Sequence, residues 1–432
     1  MANPTARDLA RRVLQRVEEG AYTTLALAGE LGRARLSDQD RALATELAYG
    51  VLKRRARLDW ALAAYAPRGL DGLDARVRDA LRVGAYQILF LRVPSHAAVD
   101  DAVEAVKRVR GAKLAGFVNA LLRRLARDGE PRPPDAARDL AAHLAVLESA
   151  PRWLVEFALD KFEHGEAMAF LASLNQPAPV WLRANRRRAT PEEVAARLHA
   201  ERPAARVTVA PDNPGAVRVD GGGDPATTAV FAEGLATVQD LGAQRVARLL
   251  DPPPGARLLD ACSGVGGKAT HLIELAGEGA RVDAADVSTR KLDLAADTAR
   301  RLGHAAQLRT VACDLTDARA PLEASYDAVL LDAPCSGLGV LRRHPEAKWR
   351  PRPDLAALAA TQARLLDALA PRVRPGGALV YAVCTFTDEE GPSQIARFLA
   401  AHPDFVAETE LRTWPHRDDA DAFFAARLRR RD

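Results

Sequence analysis

Cysteine is scarce in this chain: four in 432 residues, at positions 262, 313, 335 and 384. Four in so long a chain do not make a disulfide scaffold, and no two form a CxxC pair, which argues against a structural metal site. A reducing, cytoplasmic compartment is expected. Aromatic residues make up only 5% of the sequence, so small residues must fill much of the interior. No stretch approaches the roughly 18–20 uncharged apolar residues that a membrane span needs. The opening MANPTARDLARRV has no apolar core of the kind a secretion signal carries. Internal repeats and low-complexity tails are also missing. The pattern GxxxxGK[ST] is absent around Lys268, which excludes a nucleotide-binding P-loop.

What is present begins with length and charge. A chain of 432 residues with 48% apolar content can build two or three full cores. The net charge of +4 is uneven: residues 1–140 carry +7 and the remainder −3. A basic N-terminal third on a near-neutral body suits contact with a polyanion, although solvated helix faces would give the same charge.

Residues 5–130 read as helices. Leu9, Val13, Leu14 and Val17 recur at helical spacing, as do Val77, Leu81, Tyr86, Leu89 and Phe90. Ser37 is placed to cap the next helix over Asp38–Leu52, with Asp40 at the capping-box position. Val99, Val103 and Val106 form one stripe and Phe117, Leu121, Leu122 and Leu125 another, with Arg and Lys at 107–113 and 123–127. Glu130-Pro-Arg-Pro-Pro-Asp135 reads as a linker, since repeated proline ends helices. Helix returns over 139–176. The chain then reads strand, helix, strand, strand (180–184, 192–199, 206–210, 216–220), a small α+β module with Arg183, Arg186, Arg187 and Arg188 at one corner. That corner reads equally as a phosphate contact or an exposed charged turn.

From about Gly234 strands and helices alternate, the pattern of a parallel sheet. Arg257–Ala261 is a buried strand running into Cys262-Ser263-Gly264-Val265-Gly266-Gly267-Lys268, with a helix after it. Glycines at such a turn let backbone N–H groups approach a ligand. Asp286 ends the next strand, where an acid can bind ribose hydroxyls. Asp314 follows the third strand, Asp332 ends the fourth, and Cys384 ends the fifth.

The fourth strand opens the stretch DAVLLDAPCSGLGVLRRHPEAKWR, residues 327–350. An apolar run, Ala328–Leu331, breaks at Asp332-Ala-Pro-Cys-Ser-Gly. Pro334 and Gly337 leave Asp332 and Cys335 at the carboxyl edge of the sheet, where open α/β sheets bind ligands. The basic run Arg342, Arg343, His344 is expected beside an anionic substrate. A buried Cys in an ordinary turn would also fit the stretch.

A dinucleotide-dependent dehydrogenase shares the glycine turn and the second-strand acid, but needs no thiols at two strand ends. Methyltransferases that modify amino groups carry a Pro-Pro-aromatic turn after the fourth-strand acid, and here the turn is Ala333-Pro334-Cys335-Ser336. A thiol suits carbon methylation. C5 of cytosine is a poor nucleophile until a thiolate adds to C6 and makes C5 enamine-like. Such a thiolate needs a lowered pKa or a nearby base. A non-enzymatic RNA-binding or antitermination factor remains the competing class.

Two resemblances narrow these readings. LRVPSHAAVDDAVEAVKRV with GFVNALLRRL resembles the all-helical NusB-type RNA-binding domain, over about residues 5–128. DACSGVGGK, DAPCSGLGVLRRHPEAKWR and YAVCTFTDEE resemble the Nop2/Sun-type RNA cytosine-C5 methyltransferases, over roughly 234–427. Together they imply a NusB-like helical domain at 1–134, a helical and α+β linking module at 135–233, and a Rossmann-like catalytic domain at 234–432 that uses S-adenosylmethionine. The implied reaction is C5 methylation of a cytosine in 16S ribosomal RNA, cytosine 967, or of another RNA such as tRNA or 23S rRNA. Its expected partner is RNA, with no membrane and no metal, the chain acting as a monomer.

By the same resemblance Cys384 is the nucleophile, Cys335 assists product release, and Asp332 holds the cytosine N3/N4 edge. Ala261, Cys262, Ser263, Gly264, Val265, Gly266, Gly267 and Lys268 would hold the methionine end of the cofactor, Asp286 the ribose and Asp314 the adenine side, with Asp332 at the edge of that site. Lys291 stands where the family usually has Arg. Gly264 and Val265 replace an Ala-Pro pair, which implies a looser turn. Val383 replaces a Thr before the nucleophile. Cys262 and Cys313 are expected to be structural.

Overall fold

The computed structural model describes residues 4–432; Met1–Asn3, where the N-terminal reading starts, lie outside them. Two compact units divide the chain. One runs to Pro177 and also takes in Leu341–Pro351; the other comprises Ala178–Val340 and Arg352–Asp432.

The first unit is helical: α1 Ala6–Glu18, α2 Thr23–Arg33, α3 Asp38–Lys53, α4 Arg55–Ala63, α5 Ala75–Phe90, α6 Ser95–Arg110, α7 Ala112–Asp128, α8 Leu140–Leu147, α9 Arg152–Lys161 and α10 His164–Ser173. Helix α1 starts at a capping box, the Thr5 hydroxyl accepting from Asp8 N and the Asp8 carboxylate from Thr5 N. The Ser37 side chain accepts from Asp40 N at the start of α3. The stripes read from the sequence form the core: Val13, Leu47, Leu81, Val99, Leu122 and Leu125 are fully or almost fully buried. Helices α3 and α5 approach closely because Gly50 faces the Tyr86 ring; a Cβ there would sit 2.1 Å from Tyr86 Cζ.

Leu341–Pro351 corrects one expectation. The basic run is drawn into the helical unit and does not stand as a free anion-binding patch. Arg342 is 4% exposed and donates to Pro177 O. Beyond it, Glu346 accepts from Thr23 N and Oγ1 (3.2 and 2.7 Å) and Trp349 Nε1 donates to Leu52 O (2.7 Å). The three N–H groups of Lys348 match three acceptors: the carbonyls of Lys53 and Ser149 and Asn175 Oδ1, at 3.0–3.1 Å. Burial pushes the Lys348 pKa down to about 7.

The second unit opens with a four-stranded antiparallel sheet in the order β2-β3-β1-β4: β1 Val180–Ala184, β2 Arg206–Val209, β3 Ala216–Asp220 and β4 Ala236–Val238. Helix α11, Pro191–Glu201, starts at a second capping box on Thr190 and Glu193. Strand β4 is too short to read in the sequence; it pairs with β1 through Leu182 and Val238. The short α12 (Ala229–Ala232) precedes it and α13 (Leu241–Leu249) follows.

The larger sheet has seven strands in the order β10-β11-β9-β8-β5-β6-β7. These are β5 Arg257–Ala261, β6 Arg281–Asp286, β7 Leu308–Ala312, β8 Tyr326–Asp332, β9 Val373–Val383, β10 Phe405–Thr413 and β11 Phe423–Arg430. Strands β5 to β9 pair in parallel; β11 joins β9 and β10 antiparallel. Helices α14 (Gly267–Ala276), α15 (Thr289–Leu302), α16 (Leu355–Leu369) and α17 (Pro392–Ala401) cover it. The central strands are apolar throughout because both faces are covered; Leu258, Leu259, Val329, Leu330, Leu379 and Val380 are fully buried. Strand order reverses between β5 and β8, and the carboxyl ends there form the crevice that open α/β sheets use for ligands.

Candidate active site

Strands β5, β8 and β9 deliver their terminal residues to that crevice. Asp332 leaves β8, and its Oδ2 accepts from Lys268 Nζ at 2.6 Å. Lys268 stands at the start of α14, its Nζ 5.5 Å from the centre of the Phe423 ring. Burial pulls the Lys268 pKa down, but the Asp332 carboxylate more than offsets this and the net shift is upward. Cys335 and Cys384, from the turns after β8 and β9, place their Sγ atoms 3.4 Å apart. The hydrogen bond with Cys335, burial and the Asp332 charge hold Cys384 well above the ordinary thiol pKa; Lys268 acts the other way. In this arrangement Cys384 is a neutral thiol, so it must lose a proton before it can attack carbon.

The glycine turn after β5 lies beside this cluster. Cys262, Gly264 and Gly266 all have positive φ (+60°, +57° and +78°). Only glycine fits at 266, where a Cβ would meet Ala295 Cβ at 2.7 Å. Above Gly264 and Gly267 a Cβ would meet nothing within 4 Å, which leaves an open cradle. Burial raises the Cys262 thiol to about 12, in keeping with a structural role. Asp286, at the end of β6, is 6% exposed; its two oxygens accept from Gly264 N (3.0 Å) and Ser288 N (2.9 Å), and Lys291 Nζ stands 4.0 Å away. A carboxylate offers about four lone-pair sites, so two remain for ligand hydroxyls. Asp314, beyond β7, is exposed and accepts from Thr316 N and Oγ1, bonds that lower its pKa.

These observations fit a ligand with an amino-acid end and a ribose. Among the described residues the buried Ser263 hydroxyl has no hydrogen-bond partner. Burial pushes Asp260 up to about 8, with Lys268 opposing. Val265 and Val287 are 52% and 76% exposed, apolar lips on either side of the Gly264–Asp286 contact. Among the described residues no group of three His, Cys, Asp or Glu side chains could hold a metal. Among them also, no helix is long and apolar enough to cross a membrane.

Arg183 in β1 and the three arginines after it do not act together. Arg183 is 2% exposed and turned inward: it is bidentate to Glu274 (2.9 and 3.0 Å) and donates to Gln239 Oε1, Gly267 O and Thr270 Oγ1. It braces the glycine turn and is closed to phosphate. Arg188 donates to the carbonyls of Glu233 and Arg301, Arg187 to Gln307, and Arg186 is exposed. On the helical unit, Lys107, Arg108, Arg110, Lys113, Arg123, Arg124 and Arg127 are all exposed. Asp8 and Asp128 neutralise Arg108 and Arg124 at 3.2 and 3.5 Å, whereas Lys113 has no acidic partner among the described residues.

Sequence reasoning missed Glu390 and Gln362. Glu390 sits in the acidic run Asp388-Glu-Glu, which reads as solvated charge, yet it is fully buried. Its oxygens take four donors, described below. In the sequence Arg183 groups with its exposed neighbours, because the alternation of Val180, Leu182 and Ala184 gives no sign that the opposite face of β1 is also covered.

Comparison with known proteins agrees with this geometry. Residues 247–429 match the family described as 16S rRNA methyltransferase RsmB/F, residues 4–127 the NusB family, and residues 150–224 the RsmF/B-like ferredoxin-like domain. The chain is 35% identical to ribosomal RNA small subunit methyltransferase B of Klebsiella pneumoniae, over 99% of both chains. It is 36% identical to the protein of that name from Salmonella paratyphi B, over 98% of both. Among solved structures, PH0851 superposes with a TM-score of 0.83 over 99% of both chains at 26% identity. NSun6 from Pyrococcus horikoshii, solved with SFG, has the same fold over 66% of this chain and all of its own, with a TM-score of 0.59 at 20% identity.

Proposed function

This chain belongs to the RsmB/F family of 16S rRNA methyltransferases, and we propose that it methylates C5 of a cytosine in 16S rRNA through a covalent bond between Cys384 and C6. Cytosine 967 is the nucleotide the family resemblance points to. The observation that carries the reading is the pair of thiols 3.4 Å apart at two adjacent strand ends, next to the Lys268–Asp332 pair. Methyl transfer to nitrogen or oxygen has no use for two facing thiols.

Asp332 takes the N3/N4 edge of the base: a carboxyl group accepts from the N4 amino group and can pass a proton to N3. Lys268 holds that carboxyl in place. Cys384 gives its proton to the Asp332 carboxylate as the S–C6 bond forms, Asp332 passes it on to N3, and the electron pair displaced from C5=C6 makes C5 nucleophilic. S-adenosylmethionine, which the family implies, supplies the methyl group when bound. Cys335 stands next to the sulfur that must leave, where it assists release: C5 gives its proton to water, C5=C6 re-forms, and the C6–S pair returns to Cys384, which regains its proton from N3. The turn from Ala261 to Lys268 would hold the amino-acid end, Asp286 with Lys291 the ribose, and Asp314 the adenine side.

The helical residues 1–134 supply RNA affinity through the exposed bases on α6 and α7, residues 135–233 link and help to recognise RNA, and residues 234–432 carry out the chemistry. Thiols that must stay reduced suit the cytoplasm. Bisulfite sequencing of 16S rRNA from a deletion strain tests the proposal. One protected cytosine should become convertible and regain protection when the gene is restored; an unchanged 16S pattern would move the substrate to another RNA.

A further inference from the structure

Glu390 is fully buried and joins three parts of the site. Its Oε1 accepts from Ser336 N at 2.8 Å and Gln362 Nε2 at 3.0 Å. Its Oε2 accepts from Ser336 Oγ at 2.5 Å and Thr387 Oγ1 at 3.0 Å. No Lys or Arg pairs with it among the described residues, so four neutral donors alone hold a buried carboxylate. Ser336 Oγ also meets Thr385 Oγ1 at 2.9 Å. Gln362 Nε2 donates a second bond, to Pro334 O at 3.1 Å, and Tyr381 OH donates to Glu390 O at 2.6 Å.

These bonds grip the chain on both sides of Cys335, at Pro334 and Ser336, and on the far side of Cys384, at Thr385. Among the described residues neither thiol hydrogen-bonds Glu390. We propose that Glu390 is the positioning residue that sets Cys335 against Cys384, so that the release step can follow methyl transfer. The release role of Cys335 rests on the function proposed above; the positioning itself rests only on the hydrogen bonds. The bonds explain why an acid is present where an apolar side chain would pack: a hydroxyl and a backbone N–H from one turn need two acceptors in fixed geometry, and a carboxylate supplies both.

The test uses full-length Glu390→Gln and Glu390→Ala. The glutamine variant keeps the size of the side chain but replaces one acceptor oxygen by a donor. The first readout needs no RNA. Diamide takes two electrons and two protons from two facing thiols, leaving a disulfide and the reduced hydrazine, and peptide mapping reports the Cys335–Cys384 cross-link. Its rate should fall by about tenfold or more in Glu390→Gln, since charge-assisted bonds are lost. Affinity for S-adenosylmethionine should stay within about twofold, because the glycine turn and Asp286 make no bond to this network.

The second readout is the protein–RNA adduct on denaturing gels, with Cys335→Ala as reference. Slow turnover with accumulated adduct in Glu390→Gln supports the proposal. A cross-linking rate like that of the parent in both variants overturns it, as does slow turnover without adduct when Cys335→Ala does accumulate adduct. If Glu390→Ala fails to fold, Glu390→Gln alone decides. If Cys335→Ala itself leaves no adduct while cross-linking in Glu390→Gln is slowed, the assigned release role of Cys335 fails and the positioning by Glu390 stands.

Discussion

Cys335 and Cys384 are 49 residues apart in sequence, and their sulfurs lie 3.4 Å apart. Each thiol reaches the crevice at the end of its own strand, and β8 and β9 are neighbours in the sheet. The pairing raises the Cys384 pKa, as do burial and the Asp332 charge, while Lys268 lowers it. Alkylation of Cys384 by iodoacetamide should therefore climb through the alkaline range with no plateau near neutrality, because only the thiolate reacts. Lys268→Met removes a cation that lowers this pKa, and labelling at a given pH should become slower. Peptide-resolved labelling rates against pH check both; a neutral-pH plateau would mean that Cys384 is already ionised.

Asp286 bonds Gly264 N and Ser288 N and keeps lone pairs for ligand hydroxyls. A carboxylate bond to a hydroxyl contributes roughly 1.5–3 kcal/mol. Asp286→Ala should weaken S-adenosylmethionine by about ten- to a hundredfold or more, while RNA affinity changes little. Isothermal titration measures it, and unchanged affinity would move the ribose contact elsewhere.

Lys348 satisfies three buried acceptors in the helical unit. Lys348→Met leaves all three without a partner, at a cost of about 2–4 kcal/mol. The melting temperature of the full chain should fall by about 5–10 °C. Calorimetry that found no drop would show that water replaces the ammonium there.

The exposed bases on α6 and α7 make a graded prediction. Changing Lys107, Lys113, Arg123 and Arg124 to Gln should weaken RNA binding and flatten its salt dependence by about 0.7 per lost contact on single strands. S-adenosylmethionine binding should stay as it was. Substitution is a cleaner test than deleting residues 1–130, since Leu341–Pro351 packs into that unit and deletion would strip its partners. An unchanged slope would leave α6 and α7 as solvated faces or a platform for a protein.

The sequence carried the five parallel strands, though not the antiparallel β10 and β11, and the helical stripes and strand-end acids and thiols, because each is a local pattern. Ala328–Leu331 is apolar through its length and is buried on both faces; Val99 and Val106 lie on the same stripe and both are buried. What it did not carry depends on partners far along the chain. Arg183 is buried because Glu274, 91 residues on, receives it. Lys348 is buried because Lys53, Ser149 and Asn175 offer three oxygens. Glu390 reads as solvated charge, and the run Arg342–His344 as a contact for an anionic substrate, for the same reason: nothing local marks the donors or the packing that cover them.

The central claim is a covalent bond from Cys384 to C6 of cytosine, and one measurement addresses it most directly. Cys335→Ala is mixed with 16S rRNA and S-adenosylmethionine carrying a labelled methyl group, denatured, and digested for mass spectrometry. The account predicts a cytidine bearing the labelled methyl attached to the peptide that contains Cys384, and no such peptide when Cys384 is also changed to Ala. Attachment at Cys262 or Cys313, or methylated RNA released in full from a Cys384→Ala protein, would contradict it.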